Sequence, residues 1–326
     1  MRIAHYALSS PAVLAPMAGV TDRPFREICR RLGAGLAPAE MLHADQRLWG
    51  TEKSRHRLDH QGESEPRVVQ LAGADPVQLA QAARASVELG AQIIDINMGC
   101  PAKKVFDRHC GSALLADEAL VERILAAVVR AVSVPVTLKL RTGVAHERRN
   151  APQVARIAQQ CGVAALAVHG RTRADLFRGE AEYDTIRATR EAIAITVLAN
   201  GDIVTPQKAR AVLDFTGAHG VMIGRAAQGA PWIFRDVNAY LASGQIAPPL
   251  LRAAKTEIIL QHLESLYEFY GEYTGVRMAR KHLGWYCARN SVDPPLRPAL
   301  MAAESSAAQF AVASLGFGHW AQLAAA

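Results

Sequence analysis

Eight short apolar runs recur through the first two-thirds of the chain, and each is followed by a stretch with helical periodicity. The runs are Ala12–Met17, Gly35–Glu40, Arg67–Leu71, Ile93–Asn97, Val134–Leu140, Ala165–His169, Ile195–Ala199 and Gly220–Ile223. The helical patterns between them include Pro76–Leu89, Glu118–Ala131, Ala151–Cys161 and Pro206–Phe215. A strand that is apolar along its whole length is buried on both faces, and alternation with helices makes neighbouring strands parallel. Eight such units in about 225 residues fit a (β/α)8 TIM barrel of the α/β class, whose usual length is about 250 residues. An open doubly wound sheet is the rival. It is disfavoured because no G-x-G-x-x-G follows the first run and no G-x-x-x-x-G-K-[ST] occurs anywhere.

The pattern changes after Gln245. Pro248 and Pro249 mark a break, and Ala253 to Ala326 reads as helical with no strand. The expected organisation is a catalytic barrel over residues 1–244 and a small helical domain over 245–326. Half of the 326 residues are apolar, enough to bury a substantial core. No apolar stretch reaches about 18 residues, so no membrane span is expected. Arg2, His5, Ser9, Ser10, Pro11 and Pro16 interrupt the first residues, a poor signal peptide, and the expected location is cytoplasmic. Nothing in the sequence demands more than a monomer or an obligate protein partner.

The five cysteines are scattered, with no C-x-x-C pair, so neither a disulfide framework nor a zinc site is expected. His56 and His60 could share a helix face but have no third ligand, and no metal is expected. The net charge of +7 points weakly to a polyanionic partner such as nucleic acid. It does not lie in the tail as bulk charge, because residues 245–326 carry seven Lys and Arg against six acids. Arg277, Arg280 and Lys281 fall at i, i+3, i+4, with Trp285 and Tyr286 a turn later; an RNA contact and an ordinary solvated face fit that spacing equally.

Barrel enzymes place their chemistry at the C-terminal strand ends. Here those ends carry Pro16–Met17–Ala18–Gly19, Gln70, Asn97–Met98–Gly99–Cys100–Pro101, Lys139 and Arg141, His169–Gly170–Arg171, Asn200–Gly201–Asp202 and Gly224–Arg225–Ala226–Ala227. Polar and glycine residues at nearly every strand end are hard to explain as packing. The turns after runs seven and eight match the recurrent phosphate-binding position of barrels, with Arg225 opening a short helix. Lys139 follows an apolar run, so its stem is enclosed and its ammonium needs an anionic partner. A Schiff-base carbonyl and the negative edge of a reduced flavin both meet that need. Cys100 is held out of the helical region by Pro101, in polar, glycine-flanked surroundings. A thiol of ordinary pKa, about 8.5, is mostly protonated at neutral pH and can serve as an acid as well as a nucleophile. Residues 102–111, with Lys103, Lys104, Asp107 and Arg108, read as a mobile lid.

Six of these segments, in order, resemble the tRNA-dihydrouridine synthases, nearest to the bacterial B-type branch. They are residues 15–22 (APMAGVTD), 95–105 (DINMGCPAKKV), 139–143 (KLRTG), 169–173 (HGRTR), 199–203 (ANGDI) and 222–227 (MIGRAA). The resemblance weakens in the tail, where Arg280–Lys281–His282 and Trp285–Tyr286 still fit. It implies reduction of uridine to 5,6-dihydrouridine in the D-loop of tRNA, with FMN as cofactor and NADPH (or NADH) as reductant. Pro16, Met17, Ala18 and Gln70 would touch the flavin, and Lys139 would stabilise its anionic reduced form. His169, Asn200, Gly201, Asp202, Gly224 and Arg225 would hold the ribityl chain and phosphate. Hydride would pass from flavin N5 to uracil C6 and a proton from Cys100 to C5, with Asn97 and Arg141 orienting the base. Lys103, Lys104, Arg171, Arg173, Arg277, Arg280 and Lys281 would contact RNA phosphates, and the analogy points to position 17. Cys110 departs from the pattern, where a small residue such as alanine is expected; it could compete as a thiol or oxidise onto Cys100.

Three other readings stay open at this stage. One is an FMN barrel acting on a free pyrimidine, as dihydroorotate dehydrogenases do. The second is a Schiff-base lyase with Lys139 as nucleophile. The third is a non-catalytic RNA-binding barrel.

Overall fold

In the computed structural model, residues 1–102, 110–292 and 294–322 are described. The apolar runs fold as strands because Val, Ile, Leu and Ala side chains from both faces find buried partners. These are β1 (Ala12–Leu14), β2 (Leu42–His43), β3 (Val68–Ala72), β4 (Ile93–Met98), β5 (Val136–Arg141), β6 (Ala165–His169), β7 (Thr196–Asn200) and β8 (Gly220–Ile223). They form one eight-stranded sheet in the order β1-β8-β7-β6-β5-β4-β3-β2, parallel throughout. The chain forms the expected (β/α)8 barrel followed by C-terminal helices.

The second strand differs from expectation. Residues 35–40 are not a regular strand, and β2 is confined to two residues further on. Pro38 has no N–H for a ladder, and a Cβ at Gly35 would run into the Ser10 carbonyl, so this segment is pressed against its neighbour without a side chain. It still closes the barrel. The Gly35 amide donates to Ala12 at 2.8 Å, Leu14 to Leu36 at 2.9 Å and Ala39 to Val68 at 3.0 Å.

Among the described residues, eight helices cover or accompany the strands: α1 (Arg23–Arg31), α2 (Glu52–Leu58), α3 (Pro76–Glu88), α4 (Glu118–Ala131), α5 (Ala151–Gln160), α6 (Asp184–Ala192), α7 (Pro206–Thr216) and α8 (Ile233–Ser243). Their starts are written in the sequence. Asp22, Asp75, Asp117 and Thr205 accept first-turn amides, and Pro24, Pro76 and Pro206 occupy early positions where the missing N–H costs nothing. The largest apolar core lies between strands and helices. A smaller core fills the barrel from below, where Ile3 and Leu8 of an N-terminal hairpin meet Val13, Val68, Ile93 and Leu198.

The C-terminal helices are α9 (Arg252–Asn290), α10 (Leu296–Ala302) and α11 (Ser306–Gln322). α9 reverses at Gly271, whose φ of 71° is the left-handed conformation glycine tolerates best. Its two limbs pack against each other, with His262 Nδ1 and the Tyr286 hydroxyl 2.9 Å apart across them. Both limbs dock on the barrel. Phe25 lies 5.6 Å from the ring of His262 and 5.3 Å from that of His282, and the Tyr270 hydroxyl donates to Asp22 at 3.2 Å. No helix among the described residues is long and apolar enough to cross a membrane.

Candidate active site

Strand register sets the site. Gln70, Asp95 and Thr137 align across β3, β4 and β5, and Asn97 aligns with Lys139 one alternation higher. Arg141, His169 and Asn200 align across β5, β6 and β7 at the strand ends. Because side chains alternate faces along a strand, these residues share the barrel interior in stacked layers. The lower polar layer is a buried network. Asp95 accepts from the Thr137 hydroxyl at 2.6 Å and from Gln70 Nε2 at 2.7 Å, and Gln70 Oε1 accepts from Asn97 Nδ2 at 2.9 Å. Burial pushes the Asp95 carboxyl up from its ordinary value, against the pull of the Thr137 and Gln70 hydrogen bonds.

Above this layer opens a cavity of about 1130 Å³. It is lined by Pro16, Met17, Ala18 and Gln70, by Asn97 and Cys100, by Lys139, Arg141 and His169, and by Asn200, Gly201, Asp202, Gly224 and Arg225. Every residue expected at the flavin, together with the expected acid, therefore lines one space. Lys139 donates to Asn200 Oδ1 at 3.0 Å, and Asn200 in turn donates to the Met222 carbonyl at 2.7 Å. Burial, reinforced by the nearby Arg141 charge, lowers the Lys139 ammonium to about 8, so it remains mainly cationic at neutral pH. Burial also carries His169 well below its ordinary value, helped by Lys139, Arg141, Arg171 and Arg225, and its imidazole is neutral. Arg171 Nη1 lies 3.4 Å from His169 Nε2, and a guanidinium can only donate. The ring proton thus sits on Nδ1.

The turn after β8 is a three-residue 3-10 turn, Arg225–Ala227. It is too short to carry an appreciable dipole, so positive charge at this end comes from side chains. The exposed Arg225 guanidinium donates to Asp202 at 3.0 Å, and Asp202 also accepts from Arg171 at 2.6 Å and from the Ala181 amide at 2.8 Å. Burial works against the Asp202 carboxylate, but the Arg171 hydrogen bond and the Ala181 amide outweigh it and hold its pKa below the ordinary value. Asp202 therefore acts by fixing two arginines. Gly201 has a φ of 126°, and a Cβ there would come within 2.7 Å of Ala181 Cβ and 3.1 Å of His169 Cδ2.

Asn97 holds the Cys100 turn. Its Oδ1 accepts from the amides of Gly99 at 3.1 Å and Cys100 at 2.9 Å, while Ser112 Oγ donates to the Cys100 carbonyl at 2.9 Å. Its Nδ2 is spent on Gln70 and Met41. The Asn97 amide is thus engaged by the protein, where the sequence pattern placed it on the base. Arg141 donates to the carbonyls of Gly99, Thr172 and Leu176, and its Nη2 has no hydrogen-bond partner among the described residues.

The expected phosphate-contacting residues separate. Arg173 lines the cavity. Arg171 is 2% exposed and spent on Asp202 and on the carbonyls of Arg178 and Gly179, so it holds a loop instead of facing outward. Arg280 donates to the Ala303 carbonyl at 3.0 Å, and Lys281 to the Gly19 carbonyl at 2.5 Å. Only Arg277 of that trio is uncommitted to another element; it lies over the Tyr273 ring. Tyr286 is fully buried, which removes it as a base-stacking surface. Lys103 and Lys104, with the expected lid at 103–109, lie outside the described residues. All five cysteines are thiols, and Cys110 is buried at the start of residues Gly111–Ala116. The sequence reading missed the Asp95–Thr137 support, Met41, Phe177 and Arg289, the last a cavity residue contributed by α9.

A parallel barrel whose strand ends converge on one cavity, with a thiol, an enclosed ammonium and an arginine-rich far end, has the build of a barrel enzyme. The family model for dihydrouridine synthase (Dus) matches residues 13–316. The chain is 61% identical over 288 residues to tRNA-dihydrouridine synthase B of Pseudomonas aeruginosa, covering 88% of this chain and 87% of that protein. It is 57% identical over 312 residues to tRNA-dihydrouridine synthase B of Xanthomonas axonopodis pv. citri, covering 96% and 94%. Against tRNA-dihydrouridine synthase B of Salmonella typhimurium it is 52% identical over 321 residues, covering 98% and 100%. The chain belongs to the dihydrouridine synthase family and is an enzyme of that family.

Proposed function

We propose that the protein reduces uridine in tRNA to 5,6-dihydrouridine, with FMN in the barrel mouth and NADPH (or NADH) as reductant. The observation that carries this reading is the convergence of Cys100, Lys139 and the His169–Arg225 end on one cavity. The residues fit FMN. The cavity exceeds the roughly 300–1,000 Å³ usual for small-molecule sites, leaving room for a base beside the cofactor. Gly201 and Gly224 line the phosphate end without side chains, and Lys139 is an enclosed cation whose hydrogen-bond partner among the described residues is the neutral Asn200 amide.

FMN, when bound, supplies the hydride to the uracil ring. The chain supplies position, charge and a proton. Lys139 stabilises negative charge on the ring system by desolvated electrostatics. His169 Nδ1–H, Arg225 and the Gly201 and Gly224 turns bind the phosphorylated side chain, while Asp202 holds Arg225 in place. Cys100, its backbone pinned by Asn97, delivers a proton from Sγ to uracil C5. Arg141 Nη2 is free to meet a uracil carbonyl. The target base must leave its stack to reach this depth, which costs a few kcal/mol and is cheapest in a loop. Arg173, Arg277, Lys103 and Lys104 provide phosphate contacts.

The test is dihydrouridine formation, by mass mapping, in an unmodified tRNA transcript incubated with the purified protein, NADPH and FMN. Dihydrouridine in the D-loop supports the reading. Reduction of free uridine or dihydroorotate chemistry with no change in tRNA would move the enzyme to the free-pyrimidine class.

A further inference from the structure

The loop between β6 and α6 presents two apolar side chains at the cavity mouth, Leu176 at 41% and Phe177 at 55% exposure. Both line the cavity. Leu176 has a φ of 54°, a conformation that bulky residues rarely adopt, so the backbone here is strained. Side chains hydrogen-bond the backbone on both sides of it. Arg141 binds the carbonyls of Thr172 and Leu176 at 2.8 and 2.7 Å, Arg171 binds those of Arg178 and Gly179 at 3.0 and 2.6 Å, and Asp175 accepts from the Thr172 amide at 2.8 Å. A guanidinium from β5 and one from the loop itself thus hold the segment that carries Phe177.

The surroundings of Phe177 say what the ring faces. The Arg141 and Arg225 guanidinium carbons lie 5.3 and 5.7 Å from its centroid, and the His169 ring lies 6.4 Å away. The ring therefore stands between the arginine that faces the proton-donor side and the arginine at the phosphate end. An exposed aromatic ring is a surface on which unpaired bases of a single strand stack.

We infer that Phe177 is a positioning residue that stacks on an unpaired base of the RNA strand at the mouth of the catalytic cavity, with Leu176 completing the apolar rim. The inference rests on RNA being the substrate. Stacking is sequence-tolerant, so the contact stabilises the opened strand without selecting its sequence.

The probe is an unmodified tRNA transcript, with its dissociation constant measured by fluorescence anisotropy across a salt series for wild type, Phe177→Ala and Phe177→Trp. Phe177→Ala should bind roughly 5- to 150-fold more weakly, the range of losing one base–aromatic stack. Phe177→Trp should restore affinity. The slope of log affinity against log salt should stay unchanged, because no phosphate contact is removed. Wild-type affinity in Phe177→Ala, failure of tryptophan to restore it, or a shallower salt slope overturns the inference. So does loss of bound flavin in Phe177→Ala, which would assign the ring to the cofactor. Dihydrouridine formation by the wild type is scored on the same transcript. Its absence refutes the functional reading whatever the binding ratio, and its presence with unchanged binding refutes the stacking alone.

Discussion

Asn97 Oδ1 accepts the Cys100 amide at 2.9 Å while Asn97 Nδ2 donates to Gln70 Oε1 at 2.9 Å, which ties the thiol-bearing turn to the buried polar layer of the barrel. The Cys100 turn is therefore placed from below, through Asp95, Gln70 and Asn97. Asn97→Ala should keep flavin and fold but release the turn. A misplacement of about 1 Å costs roughly 10²-fold in rate, so kcat for tRNA should fall by about that factor with little change in KM. Steady-state kinetics with unmodified tRNA check this, and an unchanged kcat would show that the turn holds itself.

Lys139 is the enclosed cation expected to favour the reduced flavin. Lys139→Met should make the bound flavin harder to reduce by roughly 30–60 mV, the equivalent of losing one charge-assisted contact of about 1.4–3 kcal/mol in a two-electron couple. Spectroscopic titration against a reference dye measures it. An unmoved potential would remove Lys139 from that role.

Gly201→Ala should lose FMN selectively. The added Cβ meets Ala181 and His169 at 2.7 and 3.1 Å from a φ of 126°, so the substitution strains the turn and disturbs the imidazole beside it. A strain of about 1–3 kcal/mol corresponds to FMN binding roughly 5- to 150-fold weaker. Flavin fluorescence titration of the apoprotein reads the affinity directly, and wild-type binding would contradict the assigned phosphate end.

Acid should loosen the junction of the helical tail with the barrel. His262 and His282 are buried, and burial lowers the first to about 3 and the second well below its ordinary value. The unfolded chain then binds more protons than the folded one as pH falls below about 6.5, which removes stability. Burial raises Asp22 to about 6, an opposite effect that adds stability as pH falls through 6 towards 3.8. Two histidines outweigh one carboxyl, and the net loss between pH 7.5 and 5.5 is about 2 kcal/mol. Denaturant melts at the two pH values should show it, with His262→Phe flattening the profile. A pH-independent midpoint would mean the cluster is already hydrated or ionised.

Much of this was legible in the sequence, and the failures have physical causes. Strands β3 to β8 coincide closely with apolar runs because both their faces are buried. Run two misled because Gly35 and Pro38 give an apolar segment that closes the barrel without regular strand geometry. The strand-end rule found the cavity because glycine and polar residues there have no packing role. It did not find Asp95 or Thr137, since one polar residue inside an apolar run reads as tolerated within a strand; only register shows that they meet. The rule for helical spacing failed at Arg280 and Lys281. Residues one apart point about 100° from each other, and here they reach different neighbours, α10's end and the barrel. Phe177 carried no signal, because exposure and strain are properties of the folded loop.

Anaerobic single-turnover kinetics test whether a flavin faces the Cys100 thiol in the barrel mouth. The purified chain should be yellow, NADPH should bleach it, and unmodified tRNA should restore the colour as dihydrouridine forms. Cys100→Ala should bleach at the wild-type rate yet transfer to tRNA about 10²–10⁴-fold more slowly, the usual contribution of a general acid. A chain that binds no flavin, or a Cys100→Ala variant that reoxidises with tRNA at the wild-type rate, would contradict the account.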